Sequence, residues 1–479
     1  MISGRFPHSD PFLERVAKTI RRYRLLDPGE KVLAAVSGGV DSVTLMYALK
    51  ALGYDLTIAH FDHQTRSGES RNDADFVSAA CDALGLPCFH GTEPVVHDAH
   101  RLGISFESHA RERRYAFLTS TAVQQGIFVV ATGHQMDDQA ETVLMGLFGM
   151  SSDFGPGGLL PLTTREGARI VRPLVECTRK EILEWALARG ISWREDQSNA
   201  STRFSRNRVR IDLIPFLERF HPGVTRRLSS FAAIHQCDNA YLDACAAQTL
   251  EAILHTFSAF PEILVIDYAA FRLVPDAVRL HALKVLARRL DVPISRERLI
   301  DTDIFLLTKS TGAYFDFGGC IQLYMAKDGA HILPRTRSGL LTSFSSRELA
   351  VPGMTVAGEW LVQANLLGKD DISAASLTHN SSPWRQYFDL DALNLPIGLR
   401  PRKPGDRMVP FGTGYSRKVQ DIMTEEGIPE YCRNMLPVVT AREDILWIAG
   451  SRRADLAPVR ETTRRILELS CTRPGKGAV

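Results

Sequence analysis

The stretch KVLAAVSGGVDS, Lys31 to Ser42, limits the fold more than any other part of the chain. A short apolar run ends in a serine and two glycines, and an amphipathic segment starts directly afterwards. This reads as a buried strand that turns tightly into a helix. The pattern then repeats. Leu56 to Phe61 (LTIAHF), Pro87 to His90 and Ile127 to Thr132 (IFVVAT) read as further buried strands, and Ser42 to Leu52, Arg71 to Leu84, Ser105 to Gln125 and Asp137 to Phe148 as helices. Strands alternating with helices predict an α/β fold, a parallel Rossmann-like sheet with helices on both faces. Ligands in such sheets bind beyond the carboxyl ends of the strands.

The pattern changes after Pro215. His221 to His255 and Asp276 to Leu290 are helical by period, Thr311 to Pro334 alternates and turns at glycines as a hairpin or meander does, and Ala350 to Leu390 fits no single assignment. The expected organisation is a catalytic domain over residues 1–217, a mainly helical middle domain with a β-rich distal part over 218–392, and a small α+β C-terminal domain over 393–479. The Gly/Pro-rich segment Gly149 to Pro161 suits either a lid or a passive connection. No run reaches the ~20 apolar residues of a membrane span, and the first residues have no apolar core for a signal peptide. Eight cysteines without a CxxC pair argue against zinc ribbons, iron–sulfur sites and disulfide frameworks, so a cytoplasmic protein with no membrane partner is expected. A net charge of +2 means that any polyanion must be met by local basic patches.

The Gly-rich turn carries the first chemistry. Ser37, Gly38, Gly39, Val40, Asp41 and Ser42 form an anion nest at a helix start, yet the lysine of a GxxxxGK[ST] loop is missing and Asp41 stands where a cation is expected. A carboxylate beside phosphates makes sense when it holds Mg²⁺, which takes one or two carboxylates together with phosphate oxygens. SGGVDS, with its preceding strand, resembles the PP-loop of the N-type ATP pyrophosphatases, which cleave ATP between the α and β phosphates. The resemblance implies that the loop grips the leaving pyrophosphate.

Five more stretches are similar to the tRNA(Ile)-lysidine synthetases. HFDHQTRSGES, His60 to Ser70, resembles the segment after that family's second strand, and Glu107, Arg111 and Arg114 in ESHARERRYAFL fit its E-x-x-x-R-x-x-R-Y helix. Their spacing places a carboxylate and two guanidiniums on one helical face, an arrangement also found in solvated salt-bridged stripes. In TGHQMDDQAET, His134, Asp137, Asp138 and Glu141 converge at the end of a strand, and Gln135 stands where the family has a second histidine. Carboxylates gathered there repel unless a cation or a substrate amine neutralises them. Val171 to Leu217 matches the end of the family's catalytic domain through RPL, WREDQSN and RNRVR. Its Arg203, Arg206, Arg208 and Arg210 suit phosphates or pair with Glu195 and Asp196, and at least Arg206 and Arg210 are expected to face the site. Finally, LRPRKPGDRMVPFGTGYSRKVQDI, Leu399 to Ile422, resembles the family's C-terminal module. It has six Lys or Arg against one acid before Asp421, with Phe411 and Tyr415 interleaved. Such a patch holds a phosphate backbone and stacks on unpaired bases.

The resemblance implies a ligase that uses ATP, Mg²⁺ and L-lysine to form lysidine at the wobble cytidine of isoleucine tRNA with a CAU anticodon. Adenylation would precede attack by the amine, and AMP and pyrophosphate would be released. On this reading Asp41, Asp138, Glu141, Arg111 and Arg114 are catalytic, residues 37–42 with His134 and Arg206 bind ATP, and Asp41 and Asp137 hold the metal. A homodimer is one open assembly. The rivals are a tRNA thiolase, which generally needs paired cysteines where this chain has single ones such as Cys81 and Cys177, a small-molecule amide ligase, and a silent ATP-responsive RNA-binding protein. The amide ligase leaves the distal basic module without a purpose. The silent binder has no use for carboxylates beside phosphate.

Overall fold

In the computed structural model the described residues are 10–62, 69–93, 106–149, 157–194, 205–257, 260–334, 344–368 and 382–473. Helix α1 (Pro11–Tyr23) comes first, capped by Asp10, whose carboxylate accepts from the Phe12 and Leu13 N–H groups. Strand β1 (Lys31–Ala35), helix α2 (Val40–Ala51), strand β2 (Asp55–Asp62), helix α3 (Glu69–Leu84), strand β3 (Cys88–Thr92), helix α4 (Phe106–Gln124), strand β4 (Val129–Thr132) and helix α5 (Met136–Leu147) then alternate as the apolar periodicity predicts. α1 has the same amphipathic pattern but was not assigned from the sequence. Beyond β4 the chain adds a hairpin, β5 (Leu162–Arg165) and β6 (Ala168–Val171), that was also unassigned.

The six strands stand in the order β3-β2-β1-β4-β6-β5. All neighbours pair in parallel except β5 and β6, so the sheet is mostly parallel with one antiparallel edge. Alternation along β1 explains how both faces are covered. Val32 and Ala34 join α1, α2 and Trp185 in one buried cluster, whereas Leu33 packs with Tyr115, Leu118 and Ala122 of α4 in another. Successive residues of one strand therefore serve opposite cores.

After helix α6 (Arg179–Ala188), three helical pieces follow one another: Ser205–Arg208, the wide π-turn Val209–Leu213, and Ile214–Phe220. The long helix Val224–Ile253 comes next. Contacts within the chain divide it into two compact units, residues 1–240 and 241–479. The second unit corrects one sequence assignment. The sequence period predicts helix as far as His255, but the helix stops at Ile253 and the chain enters strand Leu254–Phe257, which pairs antiparallel with Phe260–Ile266. Pairing of His255 with Val265 in that ladder overrides local propensity. The expected meander is present as Tyr314–Gly318, Ile321–Met325 and Ala330–Pro334, and these join the two preceding strands in a five-stranded sheet. Residues 350–390 contain strands Gly353–Ala357, Trp360–Gly368 and Arg385–Asp389, which pair with the terminal strand Arg465–Thr472 or with each other. Much of this unit shares one apolar core, from Phe260 to Cys471. Among the described residues, no helix is long and apolar enough to cross a membrane.

Candidate active site

The turn between β1 and α2 is held by its own serines. The Ser37 N–H donates to Ser42 Oγ at 3.1 Å, and Ser42 Oγ donates to the Gly39 carbonyl at 2.9 Å. Gly38 adopts φ +95°, a left-handed conformation that a side chain would strain. Gly39 caps α2 without a side-chain hydrogen bond, so the first N–H groups of the helix have no side-chain acceptor from their cap. That is the chemistry of an anion cradle. Behind the loop, buried His60 on β2 donates through Nδ1 to the Val36 carbonyl at 2.9 Å, and the Arg194 N–H donates to Gly38 O at 3.0 Å.

The second motif meets the first at the same sheet edge. A Cβ on Gly133 would lie 2.9 Å from the Ser42 backbone nitrogen and 3.0 Å from its Cα, so only glycine lets the end of β4 approach the loop this closely. Gln135 caps α5: its side chain accepts from the Asp137 N–H, and Asp138 Oδ2 accepts from the Gln135 N–H at 3.0 Å. This capping box gives the residue found in place of a second histidine a definite task.

The carboxylates do gather here, and the chain supplies cations of its own. Arg206 Nε donates to Glu141 Oε2 at 2.9 Å and Arg210 Nε to Glu141 Oε1 at 2.5 Å. Their Nη2 groups reach Asp138 Oδ1 at 3.3 and 2.9 Å respectively. Glu141 is fully buried, so the two guanidiniums compensate charge that water cannot reach. Burial alone would lower both arginine pKa values, but the two carboxylates outweigh it and raise them.

Asp41 differs from that pair. Its Oδ2 lies 3.5 Å from Arg179 Nη1, while Oδ1 is buried without a hydrogen-bond partner. Burial pushes its carboxyl up to about 6; Arg179 opposes the shift and Asp138 adds to it. Asp137 sits alongside, its Oδ2 accepting from the Arg179 N–H at 2.8 Å. An orphaned carboxylate oxygen beside a second acid and an anion cradle fits a divalent cation shared with phosphate. Among the described residues, no group of three or more His, Cys, Asp or Glu could hold a metal. Mg²⁺ fits such a site because it retains water and phosphate oxygens and needs few protein ligands.

The other flank is basic. Arg111, Arg114 and Arg165 lie over the Tyr115 ring at 5.6, 5.6 and 5.1 Å from its centroid. Arg172 is buried and donates to the Leu160 carbonyl at 2.6 Å. His134 sits with Nδ1 2.9 Å from Thr132 Oγ1, and burial followed by the fields of Arg172, Arg114, Arg206 and Arg111 depresses its pKa far below the usual value. Imidazole there is neutral at physiological pH.

Every predicted site residue therefore lies on or beside this edge: 37–42 in the loop, His134, Asp137, Asp138 and Glu141 at the start of α5, and Arg206 next to the carboxylates. Arg111 is exposed on α4, and Arg114 is half-buried on the same helix. Gly133, Arg172 and Arg179 were missed. Arg179 had a readable signal, since the Thr178–Glu181 capping box places it at the first turn of a helix. Residues 63–68, 150–156, 195–200 and 201–204, including Glu195, Asp196 and Arg203 to which the sequence assigns roles, lie outside the described residues. So does the side chain of Glu107. The described end of the proposed lid is tied down: Leu159 N–H donates to Gln139 Oε1 at 2.5 Å, and Gln236 Nε2 donates to Leu159 O at 3.1 Å.

Comparison with known proteins agrees with this geometry. Residues 11–217 match the PP-loop domain family model, an ATP-binding domain, and residues 397–468 match the TilS substrate C-terminal domain. A tRNA(Ile)-lysidine synthase of Dehalococcoides mccartyi (strain CBDB1) is 30% identical over 476 residues, covering 95% of this chain and 98% of the relative. One from Symbiobacterium thermophilum is 32% identical over 461 residues, with 92% and 93% covered. A solved structure titled "Crystal structure of TILS C-terminal domain" covers 27% of this chain and 98% of its own at 24% identity, with a TM-score of 0.25. With both domain models in their expected places and relatives matched over nearly their whole length, the chain belongs to the tRNA(Ile)-lysidine synthases, ATP-dependent ligases that modify tRNA.

Proposed function

We propose that this enzyme adenylates O2 of the wobble cytidine in isoleucine tRNA with a CAU anticodon and then joins the ε-amine of L-lysine to C2, releasing pyrophosphate and AMP. The observation that carries the reading is the placement of Asp41, with its orphaned Oδ1, and the Asp138/Glu141 pair at one sheet edge beside the SGGVDS cradle. The loop binds the phosphates through the open N–H groups of α2. Asp41 and Asp137 are the residues that would hold Mg²⁺, which when bound offsets phosphate charge there. Arg111 and Arg114, with the neutral His134, face the α phosphate and the base.

The lysine ammonium has an ordinary pKa near ~10.4, so it must lose a proton before it can attack. Asp138 and Glu141 are the carboxylates suited to orient it, and Arg206 and Arg210 occupy them in its absence. Residues 218–392 and 393–479 serve tRNA recognition in this reading. The exposed rings of Phe411 and Tyr415, 50% and 61% accessible, stand in the basic stretch where unpaired bases stack. A cytosolic setting agrees with eight free cysteines.

The test is a reaction of the purified protein with α-labelled ATP, labelled lysine and the CAU-anticodon tRNA. Lysine in the tRNA with stoichiometric AMP is expected. AMP release without incorporation would overturn the assignment of lysine as nucleophile.

A further inference from the structure

The loop between the paired two-residue strands Arg407–Met408 and Arg417–Lys418 exposes the ring of Phe411. Its backbone is built onto residues 453–455. The Phe411 N–H donates to the Arg453 carbonyl at 3.0 Å, Pro410 bridges to Ala454, and the Asp455 N–H donates to the Val409 carbonyl at 2.8 Å. Arg407 closes the far side of the loop, its Nε and Nη2 donating to Ser416 Oγ at 3.2 Å and to the Ser416 carbonyl at 3.0 Å. Behind the ring lies a cation. The Arg453 guanidinium carbon stands over the Phe411 ring, 4.8 Å from its centroid, and over the ring of fully buried Phe388 at 4.6 Å.

Three backbone carbonyls hold that guanidinium in place. Nη1 donates to Tyr387 O at 2.8 Å, Nη2 to Leu456 O at 3.2 Å and Nε to Ala454 O at 3.3 Å. These neutral acceptors fix its plane and leave its charge in place. Burial lowers its pKa to about 10 and the field of Asp455 opposes the shift, so Arg453 is charged at neutral pH. An aromatic face is negative, and two such faces stacked directly repel each other. A cation on one face draws ring electrons towards itself and leaves the opposite face less negative. That opposite face is then suited to the electron-rich face of a nucleobase. Phe411 keeps 50% of its surface accessible, and Lys403, Arg407 and Lys418 in the same stretch supply charge for a phosphate backbone.

We propose that Phe411 is a stacking site for an unpaired purine of the tRNA and that Arg453 is its positioning residue, which holds and polarises the ring from behind. The inference rests on the reading of the C-terminal stretch as a tRNA surface and adds a base preference to it. A purine is favoured over a pyrimidine because its two fused rings cover more of the Phe411 face and carry more electron density to set against it. Stacking reads the flat of the base and not its edge, so adenine and guanine both serve.

The test titrates the full-length protein, Phe411→Leu, Arg453→Gln and the double variant with tRNA and with short oligoadenylate and oligouridylate strands. Phe411→Leu is expected to weaken tRNA binding about tenfold, within the scale for one stacked base. Arg453→Gln is expected to weaken oligoadenylate binding about threefold, oligouridylate binding by less, and neither in the Phe411→Leu background. An equal loss for both strands in both backgrounds would make Arg453 a structural brace alone and overturn the proposal. Because Arg453→Gln also removes three hydrogen bonds, a Phe411→Trp protein supplies a second readout that keeps Arg453. Its added indole emission, taken as the difference from the unmutated protein, is expected to be quenched at saturating tRNA. An unquenched indole on a protein that binds tRNA would overturn the stacking site alone, whereas an unmutated protein that does not bind tRNA would overturn the reading beneath it.

Discussion

Arg210 grips both oxygens of Glu141, Nε to Oε1 at 2.5 Å and Nη2 to Oε2 at 3.0 Å, around a carboxylate with no accessible surface. Removing one partner of such a pair strands the other's charge away from water and costs about 3–5 kcal/mol. Because Arg206 still pairs with Glu141, Arg210→Gln is expected to destabilise the fold by less, about 1.5–3 kcal/mol, and a Glu141→Gln, Arg210→Gln double variant by less than the sum of its singles. Urea unfolding of the four proteins measures this. Additive losses would show that the pair is not a unit.

Asp41 is expected to matter for chemistry much more than for folding. Its Oδ1 satisfies nothing in the protein and its Oδ2 makes one long contact, 3.5 Å to Arg179 Nη1, so Asp41→Asn removes charge at little structural cost. AMP release at saturating ATP and Mg²⁺ is expected to fall about 10²-fold or more, the usual scale for a lost electrostatic contact at a reacting phosphate. Thermal stability is expected to stay the same or rise. A parallel fall in both would mean that Asp41 acts through the fold.

Gly133→Ala tests the closeness of the two motifs. The added methyl meets backbone atoms of Ser42 and Asp41, which cannot swing away as a side chain can. Overpacking of this kind costs about 1–3 kcal/mol, and a shift of the loop by a fraction of an ångström is expected to cost about tenfold or more in kcat. Single-turnover AMP release, compared with calorimetric unfolding, separates the two effects.

The basic C-terminal stretch contains one acid with a structural task. Asp406 takes both Arg400 Nη groups, at 2.8 and 2.9 Å, and the Lys403 N–H at 2.7 Å. Burial alone would raise its pKa, but these donors outweigh it and hold the carboxyl below its usual value. The stability it contributes is thus fully present above the unfolded-state value near ~3.9 and is lost as pH falls through the lower folded value. Acid unfolding of the unmutated protein is expected to be steeper below that point than unfolding of Asp406→Asn.

Neutralising Arg402, Lys403, Arg407 and Lys418 together is expected to weaken tRNA binding and to flatten its salt dependence by up to about 3 units in the log–log slope. Filter binding across a salt series reads both. An unchanged slope would remove these residues from the interface.

Much of this was legible in the sequence because it is local. KVLAAVSGGVDS prescribes strand, turn and helix within twelve residues, and the acids of TGHQMDDQAET follow a strand directly. What escaped was the tertiary partnership. Arg206 and Arg210 are expected from the sequence to face the site, but nothing local shows that they hold Asp138 and Glu141, which lie 65 to 72 residues earlier. Gly133 could not be read as a close approach, because the backbone it approaches belongs to α2. The helix end at Ile253 was misread because strand pairing with Phe260–Ile266, not side-chain period, decides it.

The wide turn at Val209–Leu213 carries Arg210, and so it delivers the last cation the carboxylates require. Arg206, four residues earlier, pairs with Glu141 as well, so both cations come from one short stretch at the end of the catalytic domain. A chain cut before that stretch would have to bury Glu141 without either of them, which ties the integrity of the site to the last turns of the domain.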